Sequence, residues 1–221
     1  MKKLFIFILC VFSSSVTFSE TWHSLGIASG FTHENYGKYN FTQNMYSLGI
    51  IGQDAYWYNK NWGVIFNASL MIPIGFTSNI SNSADLPDGS IVLAMDSLFS
   101  AMLGYKYDIV AGTIFYTGIG PAVGFYMEVD KAHYYNGFGY GTAAIMATAL
   151  NFGIESDFGL MHSISKKWAY IYGCHITAML YRNESIKIKY SEDDEENIKL
   201  GNIGYTSFGI NPYIALTRYI Q

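Results

Sequence analysis

Cysteine is almost absent from this chain: there are two, and one of them, Cys10, lies inside an apolar run at the N-terminus. Without that segment Cys174 stands alone, and no internal disulfide can hold the fold. Charge is also sparse, at 14% of residues, well below the roughly 25% of a soluble domain. Basic residues are the minority, 13 against 17 acidic ones, which excludes a phosphate backbone as partner, since nucleic-acid binding needs a basic surface. Nor does the chain contain an apolar run of the roughly 20 residues that a membrane-crossing helix requires. What it has instead is 50% hydrophobic residues, 19 tyrosines and 22 glycines. An apolar chain with neither a disulfide nor a helical span has one other way to satisfy its backbone in a bilayer, a closed β-barrel.

The N-terminus reads as a signal peptide. A basic start at Lys2 and Lys3 precedes an apolar stretch over residues 4–12, and small residues at Thr17 and Ser19 precede Glu20. The expected organisation is a signal peptide over 1–19 and a transmembrane barrel over 20–221. Loss of Lys2 and Lys3 takes the basic residues from 13 to 11 against an unchanged 17 acidic ones, a net charge of -6.

A barrel requires side chains to alternate between lipid and lumen at every residue. Over residues 113–127, Phe115, Thr117, Ile119, Pro121, Val123, Phe125 and Met127 form one row, and Ile114, Tyr116, Gly118, Gly120, Ala122, Gly124 and Tyr126 the other. Glycines in the inner row leave space for large inward rings. The same alternation runs through residues 64–74, 150–159 and 207–220. It predicts eight strands, near 23–33, 41–56, 62–76, 91–107, 113–128, 142–160, 168–181 and 200–220, with ten as the alternative count. Tight turns over 59–61, 108–112 and 163–167 alternate with longer polar connections over 33–40, 77–90, 129–141 and 182–199. The fold class is therefore all-β: an eight-stranded antiparallel up-and-down transmembrane barrel with short periplasmic turns and longer extracellular loops, in the outer membrane. Aromatic residues near the tight turns, Trp22, Tyr56, Trp57, Tyr58, Trp62, Tyr105, Tyr107, Trp168, Tyr170 and Tyr219, predict one interfacial girdle. Phe31, Phe76, Phe125 and Tyr181 predict the opposite belt. The competing architecture, a soluble barrel of lipocalin type, would need its core inside, where the glycine and polar rows supply too little volume.

The strand Gly118-Ile119-Gly120-Pro121-Ala122-Val123-Gly124-Phe125, the alternating loops and a final strand reaching the C-terminus resemble the small OmpW/OmpA-type outer-membrane barrels and, more loosely, the uncharacterised treponemal barrel family. The resemblance implies the barrel and carries no catalytic motif. Such barrels usually end in an aromatic residue, whereas this chain ends Tyr219-Ile220-Gln221.

Inward-pointing charges form the candidate site: Asp96, Lys106, Glu155, Asp157 and His175, with Lys106 and Asp157 expected to meet across the lumen. Buried charges persist when paired, so the cluster reads as an ionic plug, with a polar gate or binding pocket as the functional alternative. Ile51, Met71, Met102 and Met179, together with Ile65, Leu98 and Ile114, give the lumen an apolar component. No cofactor or metal is expected. The acidic run Ser191-Glu192-Asp193-Asp194-Glu195-Glu196 lacks the spacing and turn glycine of a calcium loop. Cys174 is read as a small apolar residue facing lipid.

Three functions follow as expectations. The first is a non-enzymatic barrel that passes or binds small, largely apolar solutes, with outer-membrane lipid as its surroundings and a small hydrophobic ligand as its partner. The second is a structural or adhesin-like barrel that meets a surface partner through its loops. The third is a lipid A-modifying enzyme, for which His162-Ser163 lacks the family's following Asn, and His33, Asp85 and His133 form no recognisable motif.

Overall fold

The computed structural model describes residues 18–39, 41–79, 90–135, 140–190, 195–202 and 204–220. Nine strands follow in chain order: β1 (Glu20–Tyr36), β2 (Phe41–Trp57), β3 (Trp62–Asn79), β4 (Ser90–Val110), β5 (Thr113–Tyr135), β6 (Tyr140–Ser163), β7 (Trp168–Lys189), β8 (Glu195–Asn202) and β9 (Tyr205–Ile220). Each pairs antiparallel with its neighbour from β1 to β7, and β9 pairs with both β7 and β1, closing an eight-membered ring. β8 pairs with β7 above that ring and continues the eighth strand upward. The break lies at Gly204, whose φ of 68° lets the chain turn where a Cβ would be strained. Eight ring strands match the count read from the sequence, and among the described residues the ring has no ninth or tenth member.

The alternation is realised as expected. Leu25, Ile27, Ile74, Phe99, Ile119, Ile154, Ile214 and Leu216 face outward, while Ile51, Ile65, Met71, Met102, Met161 and Ile171 are buried in the lumen. A water-soluble barrel would reverse these rows, so the apolar exterior excludes the lipocalin-type alternative. This surface fits a bilayer, and in a bacterial envelope a closed barrel of this kind belongs to the outer membrane.

Two expectations on the aromatics are corrected. Tyr58, Trp62, Tyr107, Trp168 and Tyr170 are exposed and form the girdle, but Trp22 and Trp57 lie wholly inside the barrel. They stand at girdle height on the inward parity of their strands, so they fill the periplasmic end of the lumen rather than ring it. Phe76 also turns inward, packing with Met45, Tyr126 and Ala149. The cause is a bulge opposite Tyr46 and Ser47, which skips Ile74 and reverses the parity of β3 beyond it.

The long connections are shorter than expected because strands run into them. β5 and β6 stay paired up to Tyr135 and Tyr140, and β7 and β8 form a hairpin from Lys189 and Glu195 downward. One side of the barrel is therefore taller than the other. Between β3 and β4 the ladder stops at the rung Met71 to Asp96, and among the described residues no pairing joins the two strands above it. Pro73, two residues on, has no N–H to give, and the adjacent bulge turns β3 aside.

Candidate functional site in the lumen

Three layers fill the barrel interior. At the periplasmic end, the Lys106 ammonium is bonded to the Glu20 carboxylate and lies 4.9 Å from the centres of both the Trp22 and the Trp57 rings. Trp22 Nε1 donates to the other oxygen of Glu20 at 2.6 Å. A charge with one hydrogen-bonded counter-ion and two aromatic faces is satisfied without water. The sequence reading had Lys106 reaching Asp157. Instead Lys106 points to the barrel's lower end and takes Glu20, the first residue of β1, as partner.

The middle layer brings together three of the expected residues. His175 Nδ1 lies 3.0 Å from Glu155 Oε1, and Nε2 lies 3.4 Å from Asp157 Oδ1. Asp157 accepts hydrogen bonds from Gln53 Nε2 at 2.5 Å and from the Tyr213 hydroxyl at 3.0 Å. That hydroxyl is also bonded to Tyr116. Asn67 Nδ2 donates to Glu155 at 2.9 Å. Alternate residues of β6 carry both carboxylates inward, while β2, β3, β5, β7 and β9 each add one partner, so the layer ties most of the wall together. Glu155, Asp157 and His175 are all 2% exposed or less, and no reactant reaches them from lipid or water. That geometry is an ionic plug.

The upper layer was not foreseen. Arg182, 1% exposed, lies 3.4 Å from Glu34 and 3.0 Å from Glu184. Its guanidinium stands 4.9 Å from the rings of Tyr126 and Tyr205 and 5.5 Å from that of Tyr36. Tyr205 and Tyr36 donate to the two oxygens of Glu34, and Tyr126 to Glu128. Glu34 continues the even-numbered inward row of β1, so extending that strand would have found it. Arg182 could not be found so simply, because a bulge at Leu180 moves the inward row of β7 from odd to even numbers.

Asp96, expected in the polar cluster, lies apart from it. Together with Met71, Leu98 and Met179 it lines a cavity of about 30 Å³ beneath the Arg182 layer, room for about one or two waters. Below that cavity the lumen is closed. Ile51 and Met102 pack in the lower core with Trp57 and Tyr116, as the sequence implied.

The histidines named for catalysis do not converge. His33 is exposed near the top, bonded to Asn44. His162, at the opposite end, contacts Thr113. Asp85 and the side chain of His133 lie outside the described residues. Cys174 is half-buried on the outer wall beside Phe158 and Pro212, in keeping with its reading as an apolar residue.

No family model and no curated protein matches the chain. Among solved structures, it is similar to a major outer membrane protein from Thermus thermophilus, with a TM-score of 0.56 at 8% identity, covering 90% of this chain and 99% of that one. It is likewise similar to the outer membrane protein OprG from Pseudomonas aeruginosa, with a TM-score of 0.52 at 10% identity, covering 91% and 96%. At such identities the likeness is one of fold, and the fold is that of the small bacterial outer-membrane β-barrels.

Proposed function

We propose that this barrel is a non-enzymatic outer-membrane protein that binds small, largely apolar solutes from the extracellular side and passes them sideways into the membrane between β3 and β4. The observation that carries this reading is the end of the β3–β4 ladder at Met71 and Asp96, the two residues that also line the upper cavity. The Arg182 layer above the cavity has to part to admit a solute, which then cannot continue down the axis, because the His175 and Lys106 layers seal it. The wall behind the split sets Met71, Leu98 and Met179 among polar neighbours such as Ser47, Ser69 and Asn151, and the two methionines are unbranched and can re-pack around a guest. The cavity of about 30 Å³ admits only a water-sized group until those side chains move.

A direct test staples the split. In a Cys174→Ala background, cysteines at Ile72 and Met95, joined by a short bis-maleimide, hold the two strands together above the last rung. Transfer of an apolar fluorophore into liposomes carrying the stapled barrel is expected to fall to the protein-free rate. Unchanged transfer would remove the lateral route. A second reading, a surface-interaction barrel, is favoured by the tall wall of β5, β6, β7 and β8, whose pairing continues well above Arg182. Shortening the β7–β8 hairpin while keeping the barrel intact separates the two, because only surface binding depends on it.

A further inference from the structure

We infer that the solutes favoured by this site carry one positive charge: the upper cavity is a receptor for the head group of an apolar organic ammonium ion, with Asp96 as its counter-ion. This inference rests on the lateral-route reading and names its substrate class. The charge balance of the layer is the first reason. Glu34, Glu128, Glu184 and Asp96 face the upper lumen, and Arg182 is the one cation placed among them by the described residues. Glu34 and Glu184 both hold Arg182, and Glu128 accepts the Tyr126 hydroxyl. Asp96 feels the fields of Glu34 and Arg182, yet no hydrogen bond or ion pair reaches its carboxylate among the described residues.

Such a carboxylate is costly inside a protein unless a cation or a proton joins it. Its position is the second reason. It lines a cavity of about 30 Å³, with room for about one or two waters, and an alkylammonium head is of similar size. Met71, Leu98 and Met179 are the apolar part of a wall that is otherwise largely polar, with Ser69, Asn151 and Glu34 among its members, so an attached alkyl chain meets apolar atoms where it leaves the carboxylate along Met71. The Met71 to Asp96 rung is where the β3–β4 ladder ends, which directs the chain toward the split. The third reason is the layer above, where Arg182 already shows that a planar cation is held here by carboxylates and tyrosine faces.

The test compares probes of equal length and different charge on the whole mature barrel refolded in a non-ionic detergent. Binding of hexylamine, hexanol and hexanoate is followed by titration calorimetry at neutral pH. Hexylamine is expected to bind about ten-fold or more tighter than hexanol, the usual worth of a charge-assisted hydrogen bond in an enclosed site, and hexanoate more weakly than either. Asp96→Asn, checked for folding by heat-modifiable migration, is expected to bring hexylamine to the level of hexanol. Equal binding of hexylamine and hexanol to the wild-type barrel would overturn the charge assignment and leave the apolar-solute reading standing. Failure of all three probes to bind would overturn both. Preference for hexylamine that persists in Asp96→Asn would place the counter-ion elsewhere and remove this site.

Discussion

A methyl group at position 173 would lie 2.4 Å from the Tyr213 ring, and one at position 159 would lie 2.8 Å from Tyr116. These glycines are the space into which the two inward tyrosines fit, and through Tyr213 they set the hydrogen bonds of Asp157. Gly173→Ala is expected to displace Tyr213 and destabilise the barrel by about 1–3 kcal/mol, as overpacking of a filled core does. Urea unfolding in detergent, followed by tryptophan fluorescence, measures the loss. At the periplasmic end, Lys106→Met removes the cation from between two indole rings and strands the Glu20 carboxylate. The single variant is expected to be less stable than the double variant Lys106→Met/Glu20→Gln, because the cost lies in the orphaned charge rather than in the missing pair. At this scale much of the site could be read in advance. Glu155, Asp157 and His175 share an inward parity that local alternation fixes. The partner of Lys106 could not be read, since which inward charges meet depends on the tilt and stagger of strands around the ring.

Strand parity explains both what the sequence disclosed and what it withheld. Where an element alternates without interruption, as β5 does through residues 113–127, inner and outer rows follow from the residue numbers alone. Each bulge resets the count. One opposite Tyr46 and Ser47 hid the inward turn of Phe76, and one at Leu180 hid Arg182, which lay in an expected loop. Neither bulge has a side-chain signature, for it is a property of two paired strands rather than of one. The β7–β8 hairpin, above the apolar belt, carries its own pH dependence. Lys187 holds the Glu195 carboxyl below its ordinary range by a hydrogen bond and by charge, with Lys189 adding to it. A depressed carboxyl favours the paired form above its unpaired pKa of about 4.3, and that contribution is lost as pH falls through the lower, paired value. Amide exchange across β8 is therefore expected to lose protection on acidification below about pH 4, ahead of the ring strands, whereas Lys187→Met should remove the pH step.

Taken whole, the molecule is a cylinder whose axis is filled and whose side wall is interrupted. Three stacked layers leave no continuous water path among the described residues, so the protein in planar bilayers is expected to show no steady ionic current. Stable channel-like conductance steps would contradict the sealed axis. The overall architecture was legible because export, an apolar composition without helical spans and period-two alternation all require the same closed sheet. The split wall was not, because a missing rung is a relation between strands. One consequence concerns assembly. The ring closes where β1 meets β9, the two ends of the barrel chain, and the hub of the middle layer, Tyr213, arrives on β9 to meet Tyr116, Asp157 and His175. Until that last strand docks, the charges of the middle layer have no complete shell of partners, so half-built sheets gain little and the barrel locks in a single late step.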